Sequence, residues 1–383
     1  MPPANILLVS NGYGEAAIAG YIASAIAERD AKATVEHFPL VGRVPGSIGP
    51  QAEMPSGGLI AYWNVRNLLR DARAGLFSLT AAQFGFLRAQ RARDAVVAVG
   101  DVYCLAACLL FAGRPTIFVA TAKSESVAGH SGLEVAIAKR AREVFARDAD
   151  TAVALAARGV KAHFEGNLMM DGVAITGIDL GARKEDLRVA VLPGSRADAP
   201  ANAAAALRRL ALVAQMIAPR GVQAFIALAP SVDPAAPVAA CERSGVKLTA
   251  RQPGGAQGST EGLDVRAIRD HFGDLLAQSD LALGQAGTAN EQAAGMGLPV
   301  IASSAGQPGR VGWYRMRQQR LLGDALLVLP DDDLEFARGV VGLLADPARM
   351  QAMSATGRAR MGGPGGSGAV AEAVLALASQ DSR

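Results

Sequence analysis

Residues 283 to 302 read LGQAGTANEQAAGMGLPVIA, and this stretch decides the fold class. A strand-like run ending at Leu283 meets a glycine turn, and a helix opens at about Gly287–Thr288. Gly295, Gly297 and Pro299 stop that helix, and Val300 to Ala302 restarts a strand. Strand, tight turn, helix and strand in so short a space form the unit of a parallel sheet with a crossover helix. Small residues at the turn let a ligand approach the backbone. The free N–H groups and positive dipole end of the helix favour a phosphate there. Gln285, Gly287 and Thr288 are therefore candidate phosphate-binding residues. Glu291, one turn in, is suited to accept the hydroxyls of a ribose. The same residues also fit a plain strand–turn–helix with Thr288 as cap and Glu291 as a first-turn acid.

The same pattern extends in both directions. Asn5 to Val9, Thr34 to Phe38, Ala95 to Val99, Thr116 to Ala120 and Ala162 to Phe164 read as strands between Ala-rich helices. A helix from about Glu15 to Arg29 follows the turn Asn11-Gly12-Tyr13-Gly14. A second series begins near Arg188, with strands at 189–192, 223–228, 246–249, 281–283, 300–302 and 326–329. Residues 253 to 262, PGGAQGSTEG, read as a glycine-rich loop, expected with the residues up to His271 to touch a base. Residues 166 to 186 carry little regular pattern and read as the linker. The expected architecture is α/β with two Rossmann-like domains and a cleft between them, where open sheets of this kind bind ligands. The expected domains are 1–170 and 171–365, the second carrying the phosphate-suited turn at 284–288. A C-terminal helix, 366–383, is expected to pack back on the first.

Composition agrees with this layout and excludes others. At 383 residues the chain exceeds one ordinary core, and half of it is hydrophobic. Charged residues make up 19%, with 43 Gly and 19 Pro, which argues against disorder and coiled coil. A net charge of +3 does not imply nucleic-acid binding. Cys104, Cys108 and Cys241 lack zinc-like spacing and suit core packing in a reducing compartment. No apolar run reaches the roughly 20 residues of a spanning helix. The run Ile6 to Val9 lacks the basic flank of a signal peptide. A cytoplasmic location is expected, with any membrane contact made peripherally on the inner face.

Leu192-Pro193-Gly194-Ser195-Arg196 adds a second phosphate-suited turn at the end of the first strand of the same half. Gly194 permits a sharp bend, Ser195 follows it, and the planar fork of Arg196 suits a diphosphate. This segment, with Gly287-Thr288 and Glu291, resembles lipid-A-disaccharide synthase and its relatives. Gly14-Glu15 resembles that family's glycine–glutamate turn, and Val99-Gly100-Asp101 its strand-end aspartate. Gly166-Asn167 with Met170-Asp171 stands where its Gly-His-Pro…Asp linker lies. The branch described as lipid-A-disaccharide-synthase-related shares the Thr121-Ala122-Lys123-Ser124 stretch. The resemblance spans nearly the whole chain and implies a GT-B fold and a UDP-sugar donor. The chain departs from the family at Asn167, where the family has histidine, and at Ser124 to Gly132, which replaces an aromatic-rich stretch. Both departures lie on the acceptor side, and the lipid A substrate is not carried over.

The expected activity is inverting, metal-independent transfer of a hexose or N-acetylhexosamine from a UDP-sugar to a lipid-linked or amphipathic acceptor, without a cofactor. A UDP-sugar 2-epimerase of the same fold, or a non-catalytic nucleotide-sugar-binding protein, are the alternatives. Transfer needs a base for the acceptor hydroxyl. Asp101 is the first candidate and Glu15 the second, with Gly14, Lys123, Ser124 and His130 on the acceptor side. Asp101 is equally placed to cap the helix that follows it, and His130 to lie exposed in a flexible loop. Asp331-Asp332-Asp333 reads as a helix cap and no metal site is expected. Residues 60 to 93 combine Tyr62, Trp63, Phe77, Phe84 and Phe86 with six arginines and one acid, Asp71. That mixture fits an anionic membrane surface, and equally two amphipathic helices packed on the sheet.

Overall fold

The computed structural model describes residues 3–54, 65–194, 198–229, 232–233, 235–243, 245–251, 255–285, 287–304 and 310–381. The chain forms two units: Met1–Gly172 with Pro364–Arg383, and Val173–Gly363.

The first unit runs β1 (Asn5–Ser10), α1 (Tyr13–Arg29), β2 (Thr34–Pro39), α2 (Val65–Arg73), α3 (Leu76–Ala89), β3 (Ala95–Gly100), α4 (Val102–Ala107), β4 (Thr116–Ala120), α5 (Gly132–Ala138), β5 (Glu143–Ala146), α6 (Ala149–Ala157) and β6 (Ala162–His163). Its strands form one parallel sheet in the order β2-β1-β3-β4-β5-β6. Every residue of β3 and β4 is buried, as in a sheet covered on both faces. Alternation sorts the side chains. Ile6 and Leu8 join Ile18, Ile22 and Ile26 of α1 on one face, while Leu7 and Val9 join Leu87 and Leu105 on the other. β5 has no counterpart among the strands read from the sequence, because only four residues follow the basic stretch Lys139 to Arg142.

The second unit runs β7 (Leu187–Leu192), α7 (Ala199–Ile217), β8 (Val222–Leu228), α8 (Ala235–Arg243), β9 (Leu248–Arg251), β10 (Gly255–Thr260), β11 (Leu263–Arg269), α9 (Phe272–Ala277), β12 (Leu281–Gly284), α10 (Thr288–Gly295), β13 (Val300–Ser303), α11 (Arg310–Leu322), β14 (Leu326–Leu329), α12 (Asp333–Leu344) and α13 (Pro347–Met361). The sheet order is β14-β13-β12-β7-β8-β11-β10-β9. It is parallel except around β10, which pairs antiparallel with β9 and β11. The expected loop at 253–262 is thus corrected. Residues 255–260 are a strand, and β11 extends the sheet beside β8. In β11, Leu263, Val265 and Ala267 point inward and Asp264 and Arg266 outward, a period-two pattern that the neighbouring glycines mask. The strand expected at 246–249 lies two residues later, since Val246 closes the turn after α8 through its N–H to the Cys241 carbonyl.

The segment after Gly172 belongs to the second unit. The Asp274 carboxylate accepts the N–H groups of Thr176 and Gly177 and the Thr176 hydroxyl, each at 2.8 Å. The chain's last helix, α14 (Gly366–Asp381), returns to the first unit. Val370, Ala371, Val374, Leu377 and Ala378 are buried against the α1 face of its sheet. The Asp171 carboxylate accepts the N–H of Ser367 at 2.7 Å and that of Gly365, and so caps this helix. Asn167 is buried and its Oδ1 accepts the Met169 N–H at 3.0 Å, closing the turn that delivers Asp171. The linker residues matched to the family motif therefore organise the return of α14.

Candidate functional site

In each sheet the first strand has parallel neighbours whose chain connections run in opposite directions, and open α/β sheets leave a crevice beyond the strand ends at such a reversal. In the first unit the reversal lies between β1 and β3; in the second, between β7 and β12.

Glu15 and Asp101 emerge at the first reversal. α1 begins at Tyr13 with Gly12 as N-cap, two residues before the expected start, so Gly14 joins Glu15 in its first turn. Gly100 has φ +140°, and a Cβ there would sit 1.7 Å from Asn11 Oδ1. Only glycine allows both that backbone and the close approach of Asn11. Asn11 in turn hydrogen-bonds Asp101. Asp101 is the N-cap of α4, its Oδ1 accepting the Cys104 N–H at 3.0 Å. The capping geometry weighed from the sequence is therefore present.

Burial pushes the Asp101 carboxyl above the ordinary carboxylate range, opposed in part by the N–H groups of Cys104 and Tyr103 and by Asn11. Burial also raises Glu15. A backbone N–H draws it back, the nearby charge of Asp101 raises it further, and Arg147 offsets part of that. Two carboxyls that disfavour ionisation stand together with one guanidinium near them. Such a pair is suited to holding and passing a proton.

The rest of this rim comes from β4. Thr121 donates its N–H to the Gly100 carbonyl at 3.1 Å, and its own carbonyl accepts Arg147 Nη1 at 3.2 Å. Thr121 Oγ1, Ser124 Oγ and Asn11 Oδ1 are buried without a hydrogen-bond partner among the described residues. Polar atoms left so are the donors and acceptors a bound polar molecule would satisfy. The Ser124–Gly132 stretch is irregular backbone held by side-chain hydrogen bonds. Glu125 N–H donates to Thr151 Oγ1 at 2.9 Å, and Ser126 Oγ to Asp150 Oδ2 at 3.1 Å. Arg158 holds the His130 carbonyl. The His130 ring is 7% exposed and pairs with Glu125 at 3.0 Å, so it is not an exposed side chain. Lys123 forms an ion pair with Glu134, which also closes a capping box with Ser131 at the start of α5.

In the second unit, β7 ends in Pro193 and Gly194, the latter at φ +100°. Asn202 of α7 ties the turn by donating to the Pro193 carbonyl at 2.9 Å. Ser195 and Arg196 lie outside the described residues. Beyond β12, Gly287 caps α10 without a side-chain hydrogen bond, and Gly287 and Thr288 are exposed. Glu291 lies in the first turn. Gln285 is turned inward, donating to Ser303 Oγ and accepting from Arg315 Nη2. Gln318 donates to the Gly287 carbonyl at 3.2 Å, and its Oε1 accepts Asn290 Nδ2 at 3.2 Å and Arg315 Nη1 at 2.8 Å. Sequence reading missed Arg315, Gln318 and Asn290 here, and Asn11, Thr121 and Arg147 in the first unit. Asn11 was accessible as the residue between β1 and a glycine. Arg315 lies among Arg317 and Arg320 on one helix, and nothing in the sequence sets it apart.

Among the described residues no group of three or more His, Cys, Asp or Glu is placed to hold a metal ion. The Asp331–Asp333 run caps α12 through Asp332, while Asp331 and Asp333 pair with Arg209. No described helix is long and apolar enough to cross a membrane. In the aromatic-basic stretch Phe84 stacks on Phe111 at 4.1 Å and Phe86 packs on Phe38 at 4.7 Å, so these two belong to the core. Val65, Leu69, Phe77 and Leu110 are exposed, and Asp71 is fully buried. Tyr62 and Trp63 lie outside the described residues.

No protein-family model matches the chain, and no curated protein matches its sequence. Solved structures do match. A putative UDP-N-acetylglucosamine 2-epimerase from Listeria monocytogenes is 12% identical, with 98% of this chain and 95% of that one covered and a TM-score of 0.58. MurG of Acinetobacter baumannii is 15% identical, with 98% and 100% covered and a TM-score of 0.57. A calicheamicin glycosyltransferase is 18% identical, with 99% of each chain covered and a TM-score of 0.59. At such identities the likeness is one of fold. The chain has the α/β fold of two Rossmann-like domains seen in GT-B proteins.

Proposed function

We propose that the protein is an inverting glycosyltransferase that takes a hexose or N-acetylhexosamine from a UDP-sugar. The observation that carries this reading is the buried pair Glu15 and Asp101 at the strand reversal of the first unit, both raised above the ordinary carboxylate range. Asp101 takes the proton of the acceptor hydroxyl as the acceptor oxygen bonds to the anomeric carbon. The bond from that carbon to the diphosphate oxygen breaks, and UDP leaves with the electron pair. Glu15, raised by burial and by the Asp101 charge, ionises less readily than an ordinary carboxyl, which limits the repulsion a second carboxylate charge would add. The second unit binds the donor: diphosphate at Gly194, Ser195, Arg196, Gly287 and Thr288, ribose at Glu291. The open N-terminus of α10 supports that assignment.

The acceptor is an amphipathic or lipid-linked molecule, and the protein acts peripherally at the inner face of a membrane. Exposed Val65, Leu69, Phe77 and Leu110 beside basic helices support this. The resemblance to lipid-A-disaccharide-synthase relatives points the same way.

A second reading is a UDP-sugar 2-epimerase, which the carboxylate pair also suits because epimerisation removes and returns a proton. The two readings separate by product. The purified protein is incubated with UDP-sugars, with and without lipid extract. UDP release that requires lipid, together with a new glycolipid by mass spectrometry, supports transfer. Conversion of the UDP-sugar to its C2 epimer without any acceptor supports epimerisation. Neither product with any UDP-hexose or UDP-N-acetylhexosamine excludes both.

A further inference from the structure

Two arginines of the second unit are buried, and they are treated differently. Arg209, 6% exposed, lies between Asp331 and Asp333 and stacks over the Phe336 ring at 4.5 Å. Its charge is compensated. Arg315, 9% exposed, has no carboxylate within ion-pairing distance among the described residues. Among the described residues its guanidinium donates to amide oxygens, Gln318 Oε1 at 2.8 Å and Gln285 Oε1, and its Nε is buried without a partner. Two of its five N–H groups are engaged among those residues. A cation taken out of water and given only neutral acceptors is costly to the folded protein, and burial duly lowers its pKa.

The two amides that hold it belong to the α10 turn. Gln285 lies in the turn between β12 and α10, and Gln318 binds the Gly287 carbonyl at 3.2 Å. The helix they border starts without a side-chain cap. Among the described residues, a helix N-terminus without a side-chain cap thus shares Gln285 and Gln318 with a buried guanidinium that has no anion beside it.

We propose that Arg315 is a ligand-binding cation, completed by a phosphate group seated at the N-terminus of α10. The inference rests on the donor reading for its ligand, the diphosphate of a nucleoside diphosphate, and adds a residue that reading did not contain. Gln285 and Gln318 are the positioning residues: they fix the plane of the guanidinium while leaving N–H groups to donate. The arrangement is built for charge delivered by the ligand, so the free protein carries the desolvation penalty and the complex does not.

Calorimetric titration with UDP, uridine and inorganic pyrophosphate tests this on the full-length protein and on Arg315→Gln and Arg315→Lys. Loss of a charge-assisted contact should weaken UDP and pyrophosphate binding about 10- to 100-fold in Arg315→Gln and leave uridine unchanged. Arg315→Lys, which keeps the charge but not the fork, should fall between. Unfolding of the ligand-free proteins is the second readout. A cation awaiting a ligand predicts Arg315→Gln at least as stable as wild type, whereas a structural brace predicts a loss. If Arg315→Gln binds UDP within about threefold of wild type, or weakens UDP and uridine equally, the inference is overturned. Should that variant not fold, Arg315→Lys with wild-type UDP and pyrophosphate affinity overturns it. Wild type that binds neither UDP nor pyrophosphate overturns the donor reading and the inference together. Arg315-dependent pyrophosphate binding without UDP selectivity keeps the anion site and removes only the nucleotide.

Discussion

Replacing Asp101 by asparagine separates its two possible duties. Asn accepts the Cys104 N–H as well as Asp does, so the cap on α4, worth about 1 kcal/mol, survives, whereas Asp101→Ala loses it. A general base contributes about 10²–10⁴-fold to rate. At about 1.4 kcal/mol per decade its removal adds roughly 3–5 kcal/mol to the barrier. The expected outcome is turnover, read as UDP release, reduced by at least about 100-fold in Asp101→Asn, with UDP affinity unchanged. Stability should move the other way. The folded Asp101 carboxyl is raised by burial, so the native state holds more protons than the unfolded chain in the window just above the ordinary carboxylate range. Native stability is greatest below that window and falls as pH rises through it. Asp101→Asn removes that loss, so urea denaturation at neutral pH should find it at least as stable as wild type. The base acts only when ionised, so the acid limb of the wild-type pH–rate profile should lie above the ordinary carboxylate range. Asp101→Asn with near-wild-type turnover, alongside an Asp101→Ala that loses only stability, would falsify the assignment and leave the cap as its whole role. If Glu15→Gln alone is inactive, the base is Glu15.

Two further outcomes follow from the fold. Asp171→Ala leaves the first N–H groups of α14 without their acceptor and should cost about 1–2 kcal/mol by urea denaturation; an unchanged midpoint would show that water replaces it. The α2–α3 surface should sediment with vesicles containing anionic lipid, and less so as salt rises, with Phe77→Ser weakening the binding. Retention that ignores both lipid charge and salt refutes a membrane role for it.

The doubled strand–turn–helix series was legible because β1, β3, β4, β7 and β8 are near-continuous apolar runs, the signature of strands buried on both faces. The β10–β11 hairpin was not. Gly255 and Gly258 give β10 the composition of a loop, and its pairing comes from tertiary contact with β9 and β11. At the site, the strand-end positions of Glu15, Asp101, Gly287 and Glu291 could be read because a turn marks each. Arg315 could not, because what sets it apart is burial without a carboxylate neighbour among the described residues, and that is a three-dimensional fact. Phe84 and Phe86 follow one of the two readings the sequence left open for residues 60 to 93, since both rings pack inward on Phe111 and Phe38.

The first unit is assembled from both ends of the chain, and this bears on how the protein is made. Residues through Gly172 leave the ribosome before α14 does, and the face of their sheet that receives Val370, Val374 and Leu377 stays open until α14 emerges. At about 5–20 residues per second that interval is on the order of 10–40 s. Meanwhile Val173–Gly363, a contiguous insert, can complete its own core. The segment synthesised first is therefore finished last, and a chain stopped short of α14 releases a nascent domain with an apolar face for chaperones or proteases to find.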